Sequence, residues 1–316
     1  MKHKPNTVRK VTKRLRAFVL LGLLLVFVTA GCIYLRFAHP VGDGPAGPSV
    51  SLVSFSQQWT TRNILLVGLG DSVTAGFGAR KGYGYFDRLH SNPADEFQDM
   101  QGISLRGVIP NLSVTNFAVS GSTSFDHIEK QLPRLPIADS NVFGLIVVTT
   151  GGNDLIHNYG RTPPRKEAMY GASWEQAQPW IEGFEKRLES ILSEINSRFP
   201  GGCHIFLANI YDPTDGVGDI QSVGLPEWKD GLRILEAYNN VILKVAARHS
   251  NARLIDFYNT FMGHGIHCVQ FWRSDYARRD PHYWYHVNLE DPNERGYDAI
   301  RRLLLNEMAQ TVPGLK

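Results

Sequence analysis

The sequence predicts an α/β layer fold built on a parallel sheet of five strands. Five short apolar runs rich in β-branched residues are separated by segments with helical periodicity. The runs are apolar without alternation, which suits strands covered on both faces. Three of them end in polar, glycine-bearing turns. Strand and helix in alternation give a layered fold with the strands parallel.

The first strand is "NILLVGLG" from Asn63, and the second is "LSVTNFAVSG", Leu112 to Gly121. The third, "VFGLIVVTTGGND" from Val142 to Asp154, is the strongest. "HIFLANIYD", His204 to Asp212, and "ARLIDFYN", Ala252 to Asn259, complete the set. Ile181, Phe184, Leu188, Ile191, Leu192 and Ile195 recur at helical spacing and give one apolar face. Ser173 and Gln176 fit a capping box at its start, with Pro179 as the competing first turn. Leu225 to His249 reads as a second helix, and Tyr297, Ile300, Leu304 and Met308 mark a third.

Ahead of this body the chain changes character. Residues 1–16 carry seven basic residues and no acid, a basic cytoplasmic tail. With a net charge of +3 overall, the remainder carries about −4, so the bulk offers no electrostatic reason to bind nucleic acid. Residues 17–35 are uncharged, close to the roughly 20 residues that cross a bilayer. They admit three readings: an uncleaved transmembrane anchor, which is preferred, a cleaved signal peptide, or a lipoprotein signal ending at Cys32. All three put the main body outside the cytoplasm, on the periplasmic or cell-surface side. Residues 36–62 include a Pro-, Gly- and Ser-rich stretch and read as a linker, leaving 63–312 as the folded domain. Cys203 and Cys268 permit a disulfide without requiring one.

In a parallel sheet, ligands sit beyond the carboxyl ends of the strands. Gly70, Asp71 and Ser72 follow the first strand, Gly121 the second, and Gly151 to Asp154 the third. The first turn is not a dinucleotide fingerprint, because Val73 stands where the third glycine belongs, and it is neither a P-loop nor a G-x-S-x-G elbow. It does supply a hydroxyl. Ser72 N–H, Gly121 N–H and the Asn153 amide can together hold an oxyanion, and losing one such donor costs about 2.7–4 kcal/mol of barrier.

With these motifs the sequence resembles the SGNH (GDSL-type) hydrolases, a family of esterases and lipases. "GDS" at Gly70–Ser72, "NFAVSGSTS" around Gly121 and "GGND" at Gly151–Asp154 match its first three blocks in order. The resemblance spans about Asn63 to Met308. It implies a flavodoxin-like three-layer α/β/α sandwich, Ser72 as nucleophile, and Gly121 and Asn153 in the oxyanion hole.

The fourth block departs from the family. Where D-x-x-H-P-N-x-x-G is expected, the chain reads "NLEDPNERG", so Asn288 takes the place of the acid and Asp291 that of the histidine. Three repairs are open. A histidine from the same long loop supplies the imidazole and Asp291 orients it. Alternatively, Asp291 is itself the base, working through a water or with a raised pKa. In the third, the site no longer hydrolyses. The first is preferred, with His264 ahead of His286 because glycines flank it after the fifth strand, and His282 third.

His264, His267 and Cys268 can also be read as metal ligands, though their spacing fits no established pattern. The expectation is therefore a serine esterase that needs no metal or cofactor. It would act on a small-molecule or glycan ester, either an O-acyl carbohydrate or a lipid-like ester, and meet the membrane through its N-terminal segment. The alternatives are a non-catalytic ligand-binding module on the same fold, a metal-dependent hydrolase and an acyltransferase. Phe271, Trp272, Tyr283, Trp284 and Tyr285 can either meet substrate or pack their loop.

Overall fold

The computed structural model describes residues 6–156, 158–160 and 169–315; residues 1–5 of the basic tail lie outside the described residues. Five strands form one sheet: β1 (Asn63–Leu69), β2 (Leu112–Asn116), β3 (Val142–Val148), β4 (Cys203–Ala208) and β5 (Ala252–Ile255). All pairings are parallel, in the order β2-β1-β3-β4-β5. This is the flavodoxin-like order, with its switch point between β1 and β3.

The helices are α1 (Asn6–Ala38), α2 (Ser72–Ala75), α3 (Tyr85–His90), α4 (Leu105–Val108), α5 (Ser124–Asp126), α6 (Gly152–Leu155), α7 (Trp174–Arg198), α8 (Gly231–Arg248), α9 (Phe257–Phe261) and α10 (Glu294–Thr311). Successive strand residues turn to opposite faces. Ile64, Leu66, Leu145, Val147 and Phe206 therefore join one core with α3, α4 and α10. Val67, Leu69, Ile146, Val148, Ile205 and Leu207 join the other, with α7 and α8. Each fully buried aliphatic side chain contributes about 1.5–3 kcal/mol.

The capping box at Ser173 and Gln176 is formed in both directions, so Pro179 lies inside α7 without setting its start. The second helix begins at Gly231 rather than Leu225: residues 225–228 run without regular structure into a turn at Lys229 and Asp230. Cys203 and Cys268 are both free and buried.

A buried ion network fastens α10 to the opposite edge of its layer. Asp298 receives Arg301 at 2.7 Å and Arg302 at 2.9 Å, and Arg88 stands 3.2 Å away. Glu96 receives Arg88 at 2.7 Å and Arg301 at 2.8 Å, while Asp99 receives Arg302 at 2.6 Å.

The segment read as a linker has almost no regular secondary structure, yet it is not a loose spacer. Ala46, Phe55 and Trp59 are buried in the α10-side core. Ala46 N–H donates to Asp298 at 3.0 Å, and Arg295 donates to the carbonyls of Asp43 and Gly44 at 2.7 and 2.8 Å. The folded body thus takes in residues some twenty positions before Asn63. Ahead of it, α1 is a single helix of 33 residues, and its stretch Arg14–Tyr34 has a mean hydropathy of 2.5 and no burial against the body. At 1.5 Å per residue that stretch is about 31 Å long, the thickness of a bilayer core.

Candidate active site

The first turn is forced by crowding at the end of β1. Gly70 has φ +150°, and a β-carbon there would lie 2.3 Å from the Thr149 hydroxyl, so no larger residue fits. Asp71 then caps α2, accepting from Val73 N–H at 3.1 Å and from Thr149 Oγ1 at 2.8 Å. Ser72 is thereby the first residue of a helix, half-buried, with its own N–H beyond the reach of the helical hydrogen bonds. Burial pushes the Asp71 carboxyl up to about 6, against the pull of Thr149, and the Asp291 charge adds to the rise.

Gln131 ties the turns together. Its amide accepts from Gly70 N–H at 2.9 Å, donates to Gly70 O at 2.7 Å and donates to Ser122 Oγ at 3.1 Å. Asn153, on the first turn of α6, donates through Nδ2 to Ser122 O at 2.9 Å and lines the same cavity as Ser72. An amide nitrogen has two hydrogens, so the second is available. Gly121, next to Ser122, is exposed and sits at φ +80°. Below them Asp154 is fully buried; it accepts from Ser124 N–H at 2.9 Å and from the Ser124 hydroxyl, which fixes the second turn against the third. The structure therefore brings Ser72, Gly121 and Asn153 to one edge of the sheet.

Asp291 also reaches this point. Burial raises its pKa; the neighbouring Ser72 hydroxyl, the Asn288 amide and the His286 ring pull the other way. Asn288 Nδ2 donates to Asp291 Oδ2 at 2.7 Å, while Oδ1 is buried and makes no well-formed hydrogen bond among the described residues. The turn that presents Asp291 is strained, since Leu289 sits at φ +67°. Two buried tyrosines hold it: Tyr159 donates to Leu289 O at 3.0 Å and Tyr211 donates to Glu290 O.

The histidines divide differently from the expectation. His264 does not join Ser72. Its ring stacks on Trp284 at 3.4 Å, Nδ1 lies 3.0 Å from His282 O, and burial lowers its pKa to about 4. It lines a separate pocket with Asp280 and Trp284. The glycines beside it serve Asp215, which accepts from Gly263, Gly265 and His267 N–H at 2.8–3.0 Å. A β-carbon on Gly265 would strike Pro213 O at 2.3 Å. His282 pairs with Asp280. His286 is the histidine beside Asp291: its backbone N–H donates to Asp291 O at 2.7 Å and its ring meets Phe77 edge-on at 5.8 Å. As for the metal reading, His267 turns to Asp219 at 2.8 Å while His264 faces Trp284, so the two rings diverge.

From Ser72 a cavity of about 960 Å³, counted to its open mouth, runs between the ends of β3 and β4. Its walls are mainly apolar: Leu155, Ile156, Tyr159, Ile210, Trp228 and Leu235. Nothing in the sequence around Ser72 signals it, because those residues come from four separate segments.

Comparisons with known proteins agree with this architecture. The chain is 22% identical over 292 residues to the uncharacterized protein YpmR of Bacillus subtilis (strain 168), covering 92% of this chain and 94% of that protein. Among solved structures it is similar to phospholipase A1 from Streptomyces albidoflavus NA297, with a TM-score of 0.51, 21% identity and coverage of 78% of this chain and 98% of that one. It is also similar to an extracellular lipase from Streptomyces rimosus, with a TM-score of 0.50, 21% identity and coverage of 76% and 98%. A family model spans residues 69–299, from the end of β1 into α10, and by that match the chain belongs to the GDSL-like lipase/acylhydrolase family.

Proposed function

We propose that the protein is a serine esterase that cleaves lipid-like carboxylic esters, with Ser72 as nucleophile and Asp291 as the base. The observation that carries this reading is the half-buried Ser72, set between Asp291 and a cavity whose mainly apolar lining suits an acyl chain better than a sugar. Ser72 Oγ attacks the ester carbonyl as its proton passes to Asp291 Oδ1. The oxyanion takes hydrogen bonds from Ser72 N–H, Gly121 N–H and Asn153 Nδ2. Asp291 then gives the proton to the departing alcohol, and water, activated by the same carboxylate, releases the acid. An ordinary carboxylate is a weak base for a hydroxyl, and the raised pKa of Asp291 moves it in the useful direction. The second of the three repairs thus replaces the first, with His286 supporting Asp291 rather than taking the proton. The apolar helix α1 anchors the enzyme, with the body on the outer side of the membrane.

A fluorophosphonate probe and p-nitrophenyl esters of graded chain length test the reading. Wild-type protein should label and hydrolyse, and Ser72→Ala should do neither. The Asn288–Asp291 pair in place of acid and histidine favours a second reading, a non-catalytic binder of acyl chains. Wild-type protein that binds fatty acid but stays unlabelled and inert would establish that reading instead.

A further inference from the structure

We infer that the exposed part of the loop 264–287, led by Phe271, Trp272, Arg278, Arg279 and Val287, seats on an anionic lipid bilayer, holding the catalytic mouth against the membrane. Two independent features lead there. The first is the short junction between α1 and the body. Immediately after Ala38, His39 lies 4.8 Å from the Tyr283 ring and bonds to the Ile266 backbone, and Tyr283 N–H donates to Pro40 O at 2.8 Å. Arg295 and Asp298 then hold residues 43–46. Residues 39–46, which follow the helix, are therefore held on the body rather than hanging free.

The second feature is what this junction brings to the membrane. Ala38 is only four residues past Tyr34, about 6 Å along a helix beyond the apolar stretch. The Cys268 sulfur lies 4.0 Å from Ala38 O. Phe271 and Trp272 stand three and four residues beyond Cys268, and so within about 14 Å of it. These are among the most exposed aromatics of the body, at 73% and 69%, and they pack edge-on against each other at 5.1 Å. Val287, 85% exposed, follows His286 on the same loop. Arg278 and Arg279 are exposed between them. Trp and Phe beside arginines, at the level where a helix leaves the hydrocarbon, match the interfacial layer of a bilayer with anionic headgroups. The loop ends at Asn288 and Asp291, so its seating turns the Ser72 edge toward the lipid surface. The corollary that the ester substrate is drawn from the bilayer rests on the esterase reading; the seating does not.

Tryptophan quenching tests the seating without reference to activity. The full chain is placed in phosphatidylglycerol vesicles carrying a lipid brominated near the headgroup end of its acyl chain. No tryptophan lies in α1, so the difference between wild type and Trp272→Phe isolates residue 272. The expected result is quenching in wild type that Trp272→Phe largely removes, and that weakens when phosphatidylcholine replaces the anionic lipid. Equal quenching of both proteins would overturn the seating. For the corollary, the double variant Phe271→Ser, Trp272→Ser should lose several-fold in rate on a vesicle-embedded ester while keeping its rate on a water-soluble acetyl ester. An equal loss on both, or none on either, overturns the corollary. A wild-type protein inert on every ester refutes the esterase reading and leaves the quenching result to decide the seating.

Discussion

The side-chain amide of Asn288 donates to Asp291 Oδ2 at 2.7 Å, so the buried acid beside Ser72 is oriented by a neutral group rather than by a second charge. A neutral partner fixes the carboxyl without adding a like charge to the site. It leaves Oδ1 buried and without a well-formed hydrogen bond among the described residues.

If Asp291 takes the proton, Asp291→Asn should lower kcat by about 10²–10⁴-fold, the usual worth of a positioned base. The pH profile carries the sign. The working base is the deprotonated carboxyl, whose pKa is raised by burial. kcat/KM should therefore rise with pH through an apparent pKa above the ordinary carboxylate range and then level off. A limb that stays unchanged in Asp291→Asn and disappears in His286→Gln would return the role to the imidazole.

Asp71 should make stability fall as pH rises. Its folded pKa, about 6, lies above the 3.8 of a free carboxyl, so the folded state holds the proton more tightly than the unfolded chain. The contribution is complete below about pH 4 and lost through about pH 6. At 1.36 kcal/mol per pH unit it amounts to about 3 kcal/mol. Urea unfolding across this range checks it, and Asp71→Asn should flatten that part of the curve.

Gln131 touches no substrate yet joins the first turn to the second. Gln131→Ala should lower kcat by about 10–100-fold with KM little changed, because a displacement near 1 Å at the reacting atoms has that scale. An unchanged kcat, with only a lower melting temperature, would reduce Gln131 to a structural tie.

Leu235 is buried along the cavity wall. Leu235→Trp should shorten the space open to an acyl chain. The ratio of octanoyl to acetyl ester kcat/KM should drop by about tenfold or more, as pocket methylenes discriminate on that scale. Chain-length profiles of the two proteins give the answer directly.

Asp298 has no exposure and binds two arginines, with a third close by. Asp298→Ala leaves three buried arginines sharing only Glu96 and Asp99 and should cost about 3–5 kcal/mol, visible as a lower urea midpoint.

The strands and the three motif turns were legible because each is written in a contiguous stretch with its own pattern, and the parallel sheet followed from the alternation of strands with helices. Ser72 and Asn153 follow from such stretches. Much of what completes the site is not local. Gln131 reaches Gly70 across 61 residues, and Tyr159 reaches Leu289 across 130, with no motif at either end. The preference for His264 failed for a physical reason: Gly263 and Gly265 looked like room for a ligand, whereas they let the backbone close on the buried Asp215. The linker misled in the same way. Its prolines and glycines suggested slack, but they fit a path pressed flat along α10.

The network around Glu96 also bears on the order of synthesis. Arg301, one of its two partners, is made 205 residues later, about 10–40 s at usual translation rates. Throughout that interval the nascent chain carries an acid destined for the interior with half its compensation missing. Stable closure of that layer must wait for α10, and a ribosome that stalls before residue 298 should leave a chain that chaperones hold and proteases clear.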